Sequence, residues 1–246
     1  MTPRVSVVIP AYEEGEAITT CLDRILEAVE MPCEVLVVYD DPGDSTAPYV
    51  HKYADTDVRV LPTVNSYGRG PANAIRFGID MASAPVVVVT MADGCDDPRQ
   101  IEELTRLVER GVVVAAASRY CAGGQQVGGP VVKRTLSRLA GLSLHSLARV
   151  GTRDATNSFK AYSREFVQQV GIDSREGFEI GLELTVKAKR LGLPVAELPT
   201  IWLDRQLGSS HFHLLRWLPA YLRWYALAFG RRIDQQRLAE RVGAHP

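Results

Sequence analysis

Five short β-branched runs, separated by stretches of helical spacing, constrain this chain more than any other feature. "VSVVIP" (5–10), "EVLVVY" (34–39), "VRVLP" (58–62), "VVVVTM" (86–91) and "VVVAAAS" (112–118) are mostly uninterrupted, as strands buried on both faces are. Between the first two, Ile18, Cys21, Leu22, Ile25, Leu26 and Val29 recur at helical spacing, as do Ile101, Leu104, Leu107 and Val108 further on. A β-α-β-α alternation predicts an α/β fold whose mainly parallel sheet is covered by helices. With 246 residues, 46% of them hydrophobic, the chain can bury a sizeable core.

Ligands of such sheets bind beyond the carboxyl ends of the strands. Three acidic clusters fall there: "AYEE" after the first run, "DDPGDST" after the second and "ADGCDDP" after the fourth. Ordinary turn chemistry explains any one of them, since Asp, Gly and Pro make loops. Three at one edge point to a site. Acidic groups at strand ends either hold a divalent cation through oxygen or hydrogen-bond a nucleotide. A hard cation such as Mg²⁺ or Mn²⁺ takes one or two carboxylates and completes its shell with water and phosphate, so Asp93 with Asp96 or Asp97 is the candidate metal site.

After residue 120 the texture changes. "CAGGQQVGGPVVKR" (121–134) reads as a mobile Gly-rich loop feeding a helix with Lys133, Arg134 and Arg138. "GTRDATNSFKAYSREF" (151–166) reads as polar and irregular, and "GFEIGLELTVKAKRLGLPVAELP" as an amphipathic helix ending near Gly192 before a short strand. Arg119, Lys133, Arg134 and Arg205 are candidates to cradle a phosphate-bearing group, because guanidinium forks match phosphate oxygens. Residues 212–232 read as a proline-interrupted amphipathic helix with Arg216 and Arg223 on one stripe, suited either to a membrane interface or to core packing.

Several function classes fit poorly. A net charge of −1 gives no general pull toward nucleic acid. The cysteines, Cys21, Cys33, Cys95 and Cys121, show no zinc spacing, and nothing at the N-terminus resembles a secretion signal, which favours a reducing, cytosolic setting. "GRGPAN" from Gly68 is an incomplete dinucleotide fingerprint, and GxxxxGK[ST], GxSxG and HExxH are absent. His211 and His213 are at best a weak metal signal.

The ordered series "VSVVIPAYEE", "EVLVVYDDPGDST", "GRGPANAIRFGI", "VVVVTMADGCDDP", "ASRY", "KRTLSRLAG", "DATNSFKAYSREF", "ELP" and "DRQLGSS" resembles the inverting family-two glycosyltransferases of the GT-A fold, those like dolichol-phosphate mannose synthase, from about residue 5 to 211. The resemblance implies a GT-A domain over 1–211, followed by an amphipathic, interfacial segment over 212–246. It implies a nucleotide-sugar donor such as GDP-mannose, Mg²⁺ or Mn²⁺, and inverting transfer of a hexose to a polyprenyl (dolichyl-type) phosphate. Pro10, Ala11, Tyr12 and Glu14 match the nucleotide-contacting motif, Asp40 the base-binding Asp, and Asp93 the last Asp of the DxD metal motif. Arg119 matches an Arg that approaches phosphate; Arg134, Ser137 and Arg205 match acceptor-phosphate and donor contacts, and Asp154 an acidic position near the sugar.

Departures accompany the match. Met91 stands where the DxD motif has its first Asp, Tyr39 where an acidic residue usually follows the second strand, and His211 where a Lys is common. A thioether is a poor ligand for Mg²⁺, so metal binding rests on Asp93 with Asp96, Asp97 or water. The implied partners are a donor nucleotide sugar, a lipid phosphate, a membrane surface and either an anchoring subunit or a second copy, with a peripheral location on the cytoplasmic face. Two alternatives stay open: a soluble hydroxyl acceptor, with Asp154 as general base, and a silent nucleotide-sugar-binding protein.

Overall fold

The computed structural model describes residues 2–204 and 214–243. Its sheet begins with β1 (Val5–Pro10), all six residues buried, followed by α1 (Ala17–Ala28), β2 (Cys33–Tyr39), α2 (Ala47–Ala54), β3 (Val60–Val64), α3 (Pro71–Met81) and β4 (Val86–Val89). Next come α4 (Ile101–Glu109), β5 (Val114–Ser118), β6 (Gln125–Val127), α5 (Val131–Ser143), β7 (Lys160–Ser163), α6 (Arg164–Val170), α7 (Ile180–Leu191), β8 (Val195–Pro199) and β9 (Ile201–Leu203). Helices α8 (Leu214–Ala228) and α9 (Gln235–Gly243) complete the described chain.

The large sheet runs β3-β2-β1-β4-β7-β5-β8 and is parallel except for β7, which is antiparallel to both β4 and β5. The segment around β7 reads as irregular in sequence because the strand is four residues long and begins with a lysine. Its alternation is nonetheless real: Ala161 faces the core under α1 and α4, while Tyr162 faces the core under α3 and α7. The second sheet pairs β6 with β9, so part of the Gly-rich stretch read as a loop is a strand.

Gly78 shows how closely α3 lies on the sheet. A Cβ there would sit 2.4 Å from Val8 Cγ1 and 2.9 Å from Val38 Cγ2.

α7 departs from the amphipathic helix its spacing predicts. It is buried on nearly every side, leaving only Lys189 and Leu191 partly open, because the sheet lies on one side and α8 and α9 on the other. Two of its buried charges, Glu183 and Lys187, are matched locally. Lys187 Nζ pairs with Glu183 at 2.7 Å and with Asp173, and Glu183 accepts the backbone N–H groups of Asp173 and Ser174. In α8, Trp217 and Trp224 are buried and Trp224 Nε1 donates to Ser174 Oγ, while Leu218 and Leu222 are exposed. Arg223 donates to the carbonyl of Val242 in α9, so this arginine of the predicted stripe serves helix packing. Among the described residues no helix is long and apolar enough to cross a membrane.

Candidate active site

The parallel strands deliver their polar loops to one edge. After β1 the chain turns through Ala11, Tyr12, Glu13 and Glu14, with Glu13 at a positive φ of 52°. This turn is held by Asp44, whose carboxylate accepts the N–H of Glu13 from both oxygens and that of Thr46 from Oδ1; Thr46 Oγ1 in turn accepts the N–H of Glu14. Asp44 is only 4% exposed and therefore builds the loop. Pro10 ends β1 and Ala11 is buried, whereas Tyr12 is 55% exposed.

Asp40, at the end of β2, is fixed from the neighbouring loop. Asn65 Nδ2 donates to Oδ1 and the N–H of Gly70 to Oδ2, each at 2.8 Å. Gly70 has φ of 114°, a conformation side-chain-bearing residues rarely adopt, and it precedes Pro71 at the start of α3. Tyr12, Glu13, Asp40, Asp41, Asp44 and Arg69 enclose a cavity of about 130 Å³ with Gly43. The expected residues Tyr12 and Asp40 thus meet in one pocket. No motif in the sequence marks Asn65.

After β4, Asp93 Oδ1 accepts the N–H of Cys95, closing a tight turn. Arg24 of α1 reaches this loop and donates to the carbonyls of Gly94, at 2.5 Å, and Asp96. No motif marks Arg24, because its function is to hold backbone.

Asp96 differs from its expected place as a metal ligand. It is 6% exposed, and its Oδ2 already accepts from Thr90 Oγ1 at 2.9 Å and from the N–H of Met91. Burial, and then the charge of Asp93, push its carboxyl up to about 7. Asp97 is also committed, capping the turn at 98–100 and pairing with Arg99. Among the described residues no cluster of three or more His, Cys, Asp or Glu could hold a metal. The donor set fits a Mg²⁺ or Mn²⁺ ion held by one carboxylate, Asp93, with ligand phosphates and water completing the shell.

At the end of β5, Arg119 and Asp154 form the most constrained pair at this edge. Asp154 is fully buried and accepts from Arg119 three times: from its N–H at 3.0 Å, from Nε at 2.7 Å and from Nη2 at 2.9 Å. Burial works against the guanidinium charge, but Asp154 outweighs it and leaves the Arg119 pKa raised. Nη2 also reaches Ser137 Oγ of α5 at 3.3 Å, and that hydroxyl contacts Thr156 Oγ1 at 2.8 Å. Arg134 is three residues before Ser137 and so shares its helix face. Beneath, Lys160 donates to the carbonyls of Ala155 and Asn157, pinning the 154–157 turn; burial brings its ammonium down to about 7 against the opposing pull of Asp154.

The sheet therefore gathers Asp40, Tyr12 and Glu14 after β1 and β2, Asp93 after β4, and Arg119 with Ser137 and Asp154 after β5. Asp154 belongs behind Arg119, where it orients the guanidinium. Arg205, His211 and His213 lie outside the described residues, as does the side chain of Lys133.

The chain is similar to several known proteins. Polyprenol monophosphomannose synthase of Mycolicibacterium smegmatis is 31% identical over 216 residues, covering 85% of this chain and 81% of that protein. Undecaprenyl-phosphate mannosyltransferase of Micrococcus luteus is 30% identical over 84% of this chain and 86% of its own length. Among solved structures, a mannosyltransferase from Pyrobaculum calidifontis in complex with GDP-mannose and Mn²⁺ has a TM-score of 0.63 at 21% identity, covering 99% of this chain and 70% of that one. Glucosyl-3-phosphoglycerate synthase from Mycobacterium tuberculosis, with Mn²⁺ and UDP, reaches 0.65 at 18% identity over 94% and 82%. The glycosyl transferase family 2 profile matches residues 6–171, most of the sheet and the whole of the edge described above, and the chain belongs to that family.

Proposed function

We propose that this protein is a polyprenyl-phosphate hexosyltransferase, with mannose from GDP-mannose as the first donor to test. The observation that carries the reading is the Arg119–Asp154 clamp. Nε and Nη2 are taken by Asp154 and Ser137, and Nη1 makes no hydrogen bond to a described residue. A guanidinium fixed in this way offers a pre-oriented donor to a phosphate oxygen. Arg134, one helical turn before Ser137, would add a second cation to the same anion.

The clamp also discriminates between acceptors. A hydroxyl acceptor needs a general base, and Asp154 cannot reach one while fully buried and bonded three times to Arg119. A lipid phosphate is already ionised at neutral pH. Its oxygen would attack the sugar C1 from the face opposite the leaving group, forming the C1–O bond as the bond to the nucleoside diphosphate breaks, with inversion. Asp40, Tyr12 and Glu14 would hold the nucleotide, and Asp93 would hold the divalent cation. Bound there, that cation would supply Lewis-acid stabilisation of the departing diphosphate.

A membrane surface as the site of action is supported next to the same edge. Val127, Ile201 and Leu203 of the β6-β9 ribbon and Val131, Leu136 and Leu139 of α5 are exposed apolar residues. The ribbon is tied to the Asp93 loop by Leu203 N–H donating to the Cys95 carbonyl. Apolar side chains beside Arg134 and Arg138 suit an interface of acyl chains and headgroups.

The test is transfer of labelled sugar from GDP-mannose or UDP-glucose to a short polyprenyl phosphate with Mg²⁺ or Mn²⁺, with an EDTA control. Metal-dependent glycolipid is the expected result. Nucleotide binding without transfer from any donor would overturn the reading in favour of a silent binding protein.

A further inference from the structure

At the opposite end of β8 from the active-site edge, a cavity of about 470 Å³ opens between the π-helical turn Leu144–Ala148, the C-terminal end of α7 and the start of β8. Its charged lining is wholly cationic: Arg149, Lys189 and Arg232, without a carboxylate. This imbalance occurs in a chain whose 28 Lys and Arg are matched by 29 Asp and Glu.

Part of the positive charge has a structural use. α7 and α8 bring their C-terminal ends together here, and cations are favourable at such ends. Lys189 Nζ donates to the carbonyls of Ala228 and Gly230, each at 2.6 Å, and Arg190 Nη1 to that of Leu227 at 2.8 Å. The last carbonyls of α7 are also taken: that of Lys189 by Gly192 N–H and that of Arg190 by Ile233 N–H. Lys189 and Arg190 therefore already serve the two helix ends.

Arg149 and Arg232 have no such use. Neither side chain makes a hydrogen bond or ion pair with a described residue, and both are exposed at the cavity. Arg232 lies against Gly192, where a Cβ would come within 2.9 Å of its Nε, so the glycine makes room for the guanidinium. The Lys189 ammonium is pushed down by burial and then by the charges of Arg190 and Arg232, with no carboxylate to offset them.

We propose that this cavity is a second anion site, taking a phosphate monoester or phosphodiester group between Arg149 and Arg232 with Lys189 at its floor. Two guanidiniums and an ammonium with one hydrogen left to donate match the oxygens of such a group. The volume admits more than the phosphate alone, and Leu147, 72% exposed at the rim, offers apolar contact to the rest of the ligand. The group can come from a soluble phosphate ester or from an anionic lipid headgroup.

Calorimetry with glycerol 3-phosphate, and co-sedimentation with phosphatidylglycerol and phosphatidylcholine vesicles at low salt, compare the full chain with an Arg149→Ser/Arg232→Ser variant. Both arginines are exposed, so the variant should melt with the parent. Loss of glycerol 3-phosphate binding by about tenfold or more identifies a soluble ester. A comparable loss restricted to phosphatidylglycerol vesicles identifies a headgroup. An Arg149→Lys/Arg232→Lys variant should retain most of either signal. Unchanged binding of both probes in the Ser variant, or no binding of either by the parent, overturns the proposal.

Discussion

Residues 5–118 and the described part of residues 119–243 bury their side chains by different chemistry. In the first half the strands are largely apolar and bury no charged side chain, and the buried acids, Asp44 and Asp96, sit in loops at the carboxyl edge, bonded to backbone or hydroxyl groups. In the second half charge enters regular elements: Lys160 in β7, and Glu183, Lys187 and Arg190 in α7. The first half thus places its polar groups where a ligand arrives. The second uses charge to lock helices to one another and, at Arg119, to fix a guanidinium at the active-site edge. Burying a charge is tolerable only when it is paired or hydrogen-bonded, so the second half should be the more fragile to single substitutions and the first the more fragile in activity.

The largest expected effect is on stability, in the second half. Lys187→Met leaves Glu183 buried without its cation and should cost about 3–5 kcal/mol, read by urea unfolding. The double variant Glu183→Leu/Lys187→Met should recover much of that loss, because replacing a buried pair with apolar groups is often close to neutral. A double variant no better than the single one would show that Glu183 matters chiefly through its bonds to the backbone of Asp173 and Ser174.

Next comes an activity effect in the first half. Asp93→Ala should lower sugar transfer by about 100-fold or more, the scale on which loss of one charge-stabilising group lowers turnover, while the melting temperature stays near that of the parent. Full turnover in Asp93→Ala would remove the carboxylate on which the proposed cation site rests. Gly78→Ala tests the packing of the same half. A Cβ within 2.4 Å of Val8 forces α3 off the sheet, at a cost of about 1–3 kcal/mol.

The same contrast decides what could be read from sequence. β1, β2, β4 and β5 are legible because continuous β-branched runs have few other uses, although the run at 58–62 is displaced: β3 begins at Val60. The acids at strand ends are legible as a site, but not their division of labour. By residue type and spacing alone Asp93, Asp96 and Asp97 look equivalent, and only the family resemblance singles out Asp93. The fold assigns Asp96 to Thr90 and Met91 and Asp97 to Arg99. β7 is not legible, because a lysine at the start of a four-residue strand breaks the apolar signal and its partners are carbonyls in the preceding turn. Arg24 and Asn65 leave no motif, and Asp44 is not separable from its cluster, for the same reason: they hold backbone, and which backbone is decided by the tertiary fold.

A further expected effect joins the two halves through pH. Asp96 is raised to about 7 by burial and by Asp93, so between its ordinary value near 3.8 and about pH 7 the folded chain holds a proton that the unfolded chain has released. Its contribution to stability is complete below the ordinary value and declines as pH rises to 7. Lys160, lowered by burial from 10.5 to about 7, acts in the opposite sense. Its contribution is complete above 10.5 and is lost as pH falls through 7. Together the two groups favour unfolding most near neutrality, with Asp96 setting the acid slope and Lys160 the alkaline one. Asp96→Asn keeps an oxygen for Thr90 and should flatten the fall in stability between pH 4 and 7 while leaving the alkaline rise intact. Lys160→Met should do the reverse, and should also loosen the 154–157 turn, seen as a lower kcat for sugar transfer with little change in donor KM. If unfolding curves of Asp96→Asn at pH 5 and 7 differ as much as those of the parent, the acid slope belongs to other carboxylates, and the division of buried charge between site loops and helix locks no longer extends to protons.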